Sequence, residues 1–379
     1  MPRDDQPETR NAKLETGAFS AADHEFMARA LRLAEKGLTT TTPNPRVGCV
    51  LVKDAAVVGE GWHERAGEPH AEIHALNAAG NLARGATAYV TLEPCSHHGR
   101  TPPCADALIA AGVARVVAAM RDPNPQVAGR GLEQLRAAGI ETADGLLAHE
   151  ARELNIGFVS RMERGRPWLR LKLAASLDGK TALNNGKSQW ITGPEARRDG
   201  HAWRARACAI LTGAGTVRDD DPRLTVRDIE TSRQPLRVVV DSRFETPPTA
   251  RILDGGNTLI VAAADDAAKA AALRAAGAEV LVLPSPQGKV DLPRLLRLLA
   301  ERGVNELHVE AGHKLNGSLV REGLVDELLL YFAPAILGSG REMFPLPELS
   351  DLAGRRDLKI LDLRRLGADI RILARLLPA

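Results

Sequence analysis

Short runs rich in Val, Ile and Leu alternate with helix-like stretches along most of the chain, and the alternation stops once, at Arg161-Met-Glu-Arg-Gly-Arg-Pro167. Such alternation builds a sheet covered by helices on both faces, so a chain with one break in it is constrained to two α/β units. Before the break, 47–52, 56–61, 87–93 and 115–120 read as strands, and 21–37, 70–79, 103–111 and 146–162 as helices. Ser20, with Asp23 three residues on, is a candidate cap for the first helix. After it, strands are expected at 168–176, 207–213, 236–241, 258–263, 279–284 and 306–312. Helices are expected from Pro194, at 266–276 and at 292–302, with a closing hairpin from 359 to 376. The division is a tail over 1–20, a first domain over 21–160, a linker over 161–166 and a second domain over 167–379.

Composition removes several classes of function. Lys+Arg number 50 against 48 Asp+Glu, too even for a nucleic-acid binder working by bulk charge. Aromatics at 3% leave few platforms for stacking single-stranded bases. No uncharged apolar run reaches the ~18 residues of a membrane span, and Met1–Phe19 lacks the apolar core of a secretory signal. Cysteines at 49, 95, 104 and 208 are too few for a disulfide scaffold. A cytoplasmic enzyme is expected, with no nucleic-acid or membrane partner.

The sharpest chemical signal lies in the first unit. His70-Ala-Glu72 is followed by Pro94-Cys95 and, after eight intervening residues, Cys104. One imidazole and two thiolates make a three-ligand zinc set with a position left for water, whose pKa zinc brings to ~7. Glu72 sits where a carboxylate can move protons without being a ligand, as in zinc deaminases. Either fragment alone is common; their order, with Pro before the first Cys, is not. Cys49 falls in a strand and reads as packing, and His74, one turn after His70, as an ordinary helix residue.

The motifs Asn44-Pro-Arg-Val-Gly48, Gly61-Trp-His63, Gly67-Glu-Pro-His70-Ala-Glu72 and Pro94-Cys-Ser-His-His-Gly-Arg-Thr-Pro-Pro-Cys104 resemble the deaminase half of bacterial bifunctional riboflavin biosynthesis proteins. The resemblance implies a cytidine-deaminase-like α/β/α fold. It also implies one zinc per chain on His70, Cys95 and Cys104, with Glu72 as proton shuttle. The implied substrate is a phosphorylated diaminopyrimidinone ribosylamine, its flat ring bonded by Asn44. His97, His98 and Arg100 in the insert, and His63, are candidates for its phosphate.

In the second unit no Gly-x-Gly-x-x-Gly follows a strand, so composition and periodicity stop at "α/β domain". LKLAASLDGK, SQWITG, AILTGAGTVRDDDPRLTVR, VVVDS and VEAG resemble the reductase half of the same family. That implies a dihydrofolate-reductase-like fold, which holds NADPH without the fingerprint. Ala174, Trp190, Thr216, Asp220, Ser242 and the stretch Gly312, His313, Lys314, Leu315, Asn316, Gly317 and Ser318 match cofactor positions. Ser188, Arg204, Leu224, Arg227 and Glu310 match substrate positions, and either Lys172 or Asp178 is expected to polarise or protonate the opening ribose. Cys208 reads as core. Family members assemble through this half, so a homodimer or higher homo-oligomer is expected. Two rivals stand beside this reading: an RNA adenosine or cytidine deaminase, and a reductase carrying a structural zinc module.

Overall fold

The computed structural model describes residues 19–96, 102–125 and 127–377. All but the last two residues of the expected tail lie outside that range. The first helix, α1 (Ala21–Glu35), opens on the expected box: Ser20 Oγ accepts from Asp23 N at 3.1 Å, and Ser20 N donates to the Asp23 carboxylate at 2.8 Å. Asp23 also accepts from Tyr89 Oη at 2.7 Å and Arg115 at 2.8 Å, which ties the helix start to the sheet.

The first sheet follows as β1 (Gly48–Lys53), β2 (Ala56–Trp62), α2 (Ala71–Ala79), β3 (Thr87–Val90), α3 (Cys104–Ala111), β4 (Arg115–Ala118), α4 (Arg130–Ala137) and β5 (Glu141–Asp144). Two helices, α5 (Ala148–Leu154) and α6 (Ile156–Arg164), complete the unit. Strand order is β2-β1-β3-β4-β5, with β1 antiparallel to both neighbours and the last three parallel. Alternate side chains part to opposite faces. Cys49 and Leu51 pack with α2, α3 and α4, whereas Val50 and Val52 pack with α1, α5 and α6.

The second unit is built from β6 (Trp168–Ser176), β7 (Lys180–Leu183), α7 (Pro194–Arg206), β8 (Ala209–Gly213), α8 (Ala214–Asp220), β9 (Leu236–Val240), β10 (Thr258–Ala262), α9 (Ala267–Ala275) and β11 (Ala278–Val282). It continues through α10 (Leu292–Glu301), β12 (Glu306–Val309), α11 (His313–Arg321), β13 (Glu327–Ala333), β14 (Gly340–Glu342), β15 (Leu358–Leu366) and β16 (Asp369–Leu376), with β7 pairing only with β14 in a small ribbon of its own. Nine strands run β11-β10-β9-β8-β12-β6-β13-β16-β15, parallel as far as β13, with the hairpin closing one edge antiparallel. The chain returns from the β11 edge to insert β12 between β6 and β8, and their carboxyl ends form the crevice where open α/β sheets bind ligands.

Several elements differ from the sequence reading. Residues 161–164 of the expected linker are the last turn of α6. Arg164 and Arg166 both pair with Asp326, at 2.8 and 2.7 Å. Residues 214–220 are helical, and α4, β5, β7, β13 and β14 were not anticipated.

The two units are seated closely. A Cβ on Gly157 would come within 2.5 Å of Glu306 Cγ and 2.7 Å of the Asn305 carbonyl, so α6 lies almost backbone-on-backbone against the start of β12. There the Glu306 carboxylate, 1% exposed, receives Arg46 of the first unit at 2.7 Å, with Arg206 at 2.8 Å and Arg170 at 3.1 Å. Arg170 also reaches Glu327 at 2.5 Å.

Candidate active sites

In the first unit, α2 carries Ala71, Ala75 and Ala79 on one face, and β2 offers Gly59 and Gly61 to it. A Cβ on Gly61 would come within 2.3 Å of the Ala71 carbonyl, so only glycine lets the helix lie this close. That seating fixes His70, the N-cap residue, and Glu72, in the first turn. Cys104 opens α3, and its backbone N–H donates to Cys95 Sγ at 3.3 Å. His70 Nδ1 lies 3.2 Å from Cys104 Sγ and 3.6 Å from Cys95 Sγ, and the three donor atoms fall within 4.8 Å of one another.

One imidazole and two sulfurs at this spacing fit zinc, which takes this ligand set in catalytic sites. The thiol pair favours it too. Hydrogen bonds from Cys104 and His70 hold the Cys95 thiol low, while the bond to Cys95 and burial hold the Cys104 thiol high. Glu72 is 3% exposed; burial, then the Cys95 charge, push its carboxyl up to about 7. Among the described residues the set has three members, and His74 is not one of them.

A cavity of about 610 Å³ opens beside these groups, lined among others by Asn44, His63, Glu68, Phe158, Arg161 and Gly303. Asn44 Nδ2 and His63 Nε2 are 3.0 Å apart, and His63 Nδ1 donates to the Pro69 carbonyl at 3.1 Å, which assigns the tautomer. His63 is 2% exposed, burial lowers its pKa, and its ring stands edge-on to His70 at 5.2 Å. Both of its ring nitrogens thus face partners within the protein, Asn44 and the Pro69 carbonyl. His97, His98 and Arg100 lie outside the described residues.

Sequence reasoning missed Glu93, just before Pro94. Its buried carboxylate accepts backbone N–H groups of Gly129 and Gly131 at 2.9 Å and Asp122 at 3.1 Å, and so shapes the loop on the far cavity wall.

In the second unit, Glu310 at the end of β12 gathers the cations. Arg204 grips it through Nε and, at 3.0 Å, through Nη2, while Lys172 Nζ is 3.6 Å away. Burial alone would raise the Glu310 carboxyl, but Arg204 and Lys172 hold it well below the ordinary range. Lys172 also lies 5.6 Å over the Tyr331 ring, and Tyr331 Oη donates to Asp199 at 2.6 Å. Arg204 spends a further donor on the Thr225 carbonyl; Arg227 is the freer of the two, bonded through Nη1 to Thr225 Oγ1 at 3.2 Å.

Asp178 is exposed and accepts from Ser176 Oγ and from the backbone of Leu337 and Gly338, at 2.5, 3.1 and 2.7 Å. These bonds, the Ser176 one foremost, lower its carboxyl to about 2. A carboxylate so engaged fastens the turn between β6 and β7 to the 337–338 backbone.

Of the expected cofactor positions, Thr216 and the stretch 312–318 fall at two helix starts. Gly213 and Gly312 precede α8 and α11, neither start has a side-chain cap, and Leu315 packs on Gly213 while Thr216 faces Gly312. Free backbone N–H groups converging here suit a pyrophosphate. Asn316, 1% exposed, leaves its side-chain oxygen unbonded. Ala174 and Ser242 are half-buried, towards the ends of β6 and β9, and Trp190 is exposed. Gly317 departs from the set: it packs against Pro345, and Ser318 bonds its own helix at Lys314. Leu224 is buried core, and Ser188 is half-buried in the loop after β7.

Comparison with known proteins accounts for both halves. Residues 20–120 match the cytidine and deoxycytidylate deaminase zinc-binding region, and residues 167–372 match the RibD C-terminal domain. Riboflavin biosynthesis protein RibD of Escherichia coli K12 is 52% identical over 362 residues, 92% of this chain and 98% of that one. The Haemophilus influenzae RibD is 47% identical over 93% and 97%. Among solved structures, Acinetobacter baumannii RibD superposes with a TM-score of 0.88 at 43% identity, over 94% of this chain and 99% of that one. A diaminohydroxyphosphoribosylaminopyrimidine deaminase and 5-amino-6-(5-phosphoribosylamino)uracil reductase from Thermotoga maritima gives 0.82 at 34%, over the same shares. The RNA-deaminase and structural-zinc rivals are not favoured, because the reductase match explains the second unit and relatives carry both halves. The chain belongs to the RibD family of riboflavin biosynthesis proteins, a zinc-binding deaminase fused to an NADPH-dependent reductase.

Proposed function

We propose that the first unit hydrolytically removes an amino group from a diaminopyrimidinone carrying a ribosylamine 5′-phosphate, and that the second then reduces the ribosyl group to ribityl. The names carried by the Thermotoga relative support that substrate and that order. The observation that carries the reading is the buried Glu72 two residues from one member of a three-donor set whose atoms lie within 4.8 Å.

His70, Cys95 and Cys104 would hold a zinc ion, which when bound would supply a Lewis acid able to activate water near neutral pH. Glu72 takes the attacking water's proton and delivers it to the departing amine as ammonia. Asn44, with one N–H spent on His63, turns its carbonyl oxygen and second N–H to the ring. In the second unit NADPH supplies the hydride. Lys172, poised between Glu310 and Tyr331, gives a proton to the ribose oxygen as the ring opens at C1′. Arg227 takes the phosphate, with Arg204 held in line by Glu310.

Mass spectrometry of the pyrimidine tests both halves. Without NADPH, purified enzyme exchanges the amino group for oxygen, and with it the product also gains two hydrogens. Substrate left unchanged under both conditions would defeat the reading.

The chain is further assigned to the cytoplasm, where thiolate ligands stay reduced, and to a homodimer. The outer strand β15 exposes Leu358, Ile360, Leu361 and Leu363, and an apolar sheet edge of that kind calls for cover. Sedimentation should give twice the chain mass, and Ile360→Lys with Leu363→Lys should return it to one. A monomeric wild type would remove the dimer.

A further inference from the structure

One wall of the deaminase cavity is not built by the first sheet. It consists of α6, through Phe158, Arg161 and Met162, and of Gly303, just before β12 in the second unit. Among the described residues lining the cavity, Arg161 is the one Lys or Arg, facing a lining that otherwise includes Glu68, Glu72, Glu93 and Asp122.

Its bonding sets it apart from the other arginines at the join. Arg46 pairs with Glu306, Arg164 and Arg166 with Asp326, and Arg375 with Glu153. Arg233 has no such carboxylate but spends its donors on the carbonyls of Thr39, Ala205, Arg206 and Ala207. Arg161 is half-buried, and its partners are neutral. Nε donates to Asn305 Oδ1 at 2.6 Å and Nη2 to the Pro43 carbonyl at 3.4 Å, and the guanidinium stands 5.7 Å from the Phe158 ring centre. Nη1 makes no hydrogen bond among the described residues.

A cation taken partly out of water without a counter-charge is costly. The arrangement is nevertheless well held, because Asn305 is 6% exposed and also donates to the Pro43 carbonyl at 2.9 Å. A fixed, uncompensated guanidinium on a cavity wall is built to receive an anion, and planar N–H pairs suit phosphate oxygens.

We infer that Arg161 binds the phosphate of the deaminase substrate, and that Asn305, from the second unit, is a positioning residue that holds it there. The inference rests on the deamination reading above and adds the residue that selects a phosphorylated substrate. It also makes the deaminase site complete only when the second unit is docked against it.

The test measures ammonia release from the phosphorylated substrate and from its dephosphorylated riboside, in wild type, Arg161→Met and Asn305→Ala. NADPH-dependent reduction of the deaminated, phosphorylated compound is followed in the same proteins. Arg161→Met should raise KM for the phosphorylated substrate about 10- to 100-fold, the range of a hydrogen-bonded charge contact, with kcat changed little. KM for the riboside should stay where it is, and reduction should continue at the wild-type rate. Asn305→Ala should show the same phosphate-selective pattern, several-fold in size. Equal changes on the two substrates, or none, would overturn the inference. Should Arg161→Met lose reduction as well, Asn305→Ala decides: a selective rise supports the assignment and an equal rise removes it. A wild type that releases ammonia from neither compound fails the deamination reading itself, and the inference with it.

Discussion

Replacing Glu72 with Gln should cut ammonia release by about 10²- to 10⁴-fold, while reduction of the already deaminated substrate continues at the wild-type rate. Gln matches Glu in shape and hydrogen-bonding reach, so α2 keeps its seat on Gly59 and Gly61, and His70 stays at the helix start. What disappears is a group able to accept a proton and release it again. Three readings on one sample make the result specific: zinc content by elemental analysis, ammonia release, and NADPH oxidation. Full zinc with ammonia release lost assigns the proton shuttle to Glu72. Ammonia release persisting within a few-fold of wild type would show that another group does that work.

The largest effect on stability is expected at Glu306. Truncation to Ala removes the carboxylate partner of Arg46 and Arg206 and one of the two held by Arg170, at a site that was 1% exposed. Breaking a buried ion pair from one side costs about 3–5 kcal/mol, and calorimetry should show melting lowered by roughly 10 °C for a chain of this size. The same carboxylate gives the cluster a pH dependence. Burial alone would raise its pKa, but Arg206, Arg46 and Arg170 together hold it far below the ordinary value. A carboxyl whose folded pKa is depressed contributes stability that is complete above its unfolded value of about 4.3 and lost as pH falls towards the folded one. Since Gln mimics the protonated acid, the gap in melting temperature between wild type and Glu306→Gln should be full near neutrality and close progressively below about pH 4. A gap that ignores pH would mean that the charge contributes nothing and only the shape matters.

The sequence carried the first unit further than the second, for identifiable reasons. Around the metal donors the pattern is local: the Ser20–Asp23 box, the alanine face of α2 and the Pro-Cys pair each announce one element. In the second unit, Glu-Leu-Leu-Leu-Tyr-Phe-Ala at 327–333 forms β13, beside β6 in the sheet, yet it escaped notice. Buried on both faces, it lacks the alternation that marks a half-exposed strand. Charge misled where partners are distant in sequence. Arg161, Arg164 and Arg166 read as a polar linker because Asn305 and Asp326, which bind them, arrive some 140 to 165 residues later. The partners of His63 and Asp178, the Pro69 carbonyl and the 337–338 backbone, follow from no spacing rule either.

The seating of Gly157 on Asn305 and Glu306 bears on how such enzymes can be recombined. The halves are modular in fold but not in surface: α6 presents a notch the width of a missing methyl group, and β12 supplies the matching ridge. Exchanging one half for that of a relative therefore transplants half of a lock. A chimera that carries residues 155–166 together with their own 303–306 partner segment keeps the fit, whereas a cut made only at Gly165 inherits mismatched faces and an arginine with nothing to hold it.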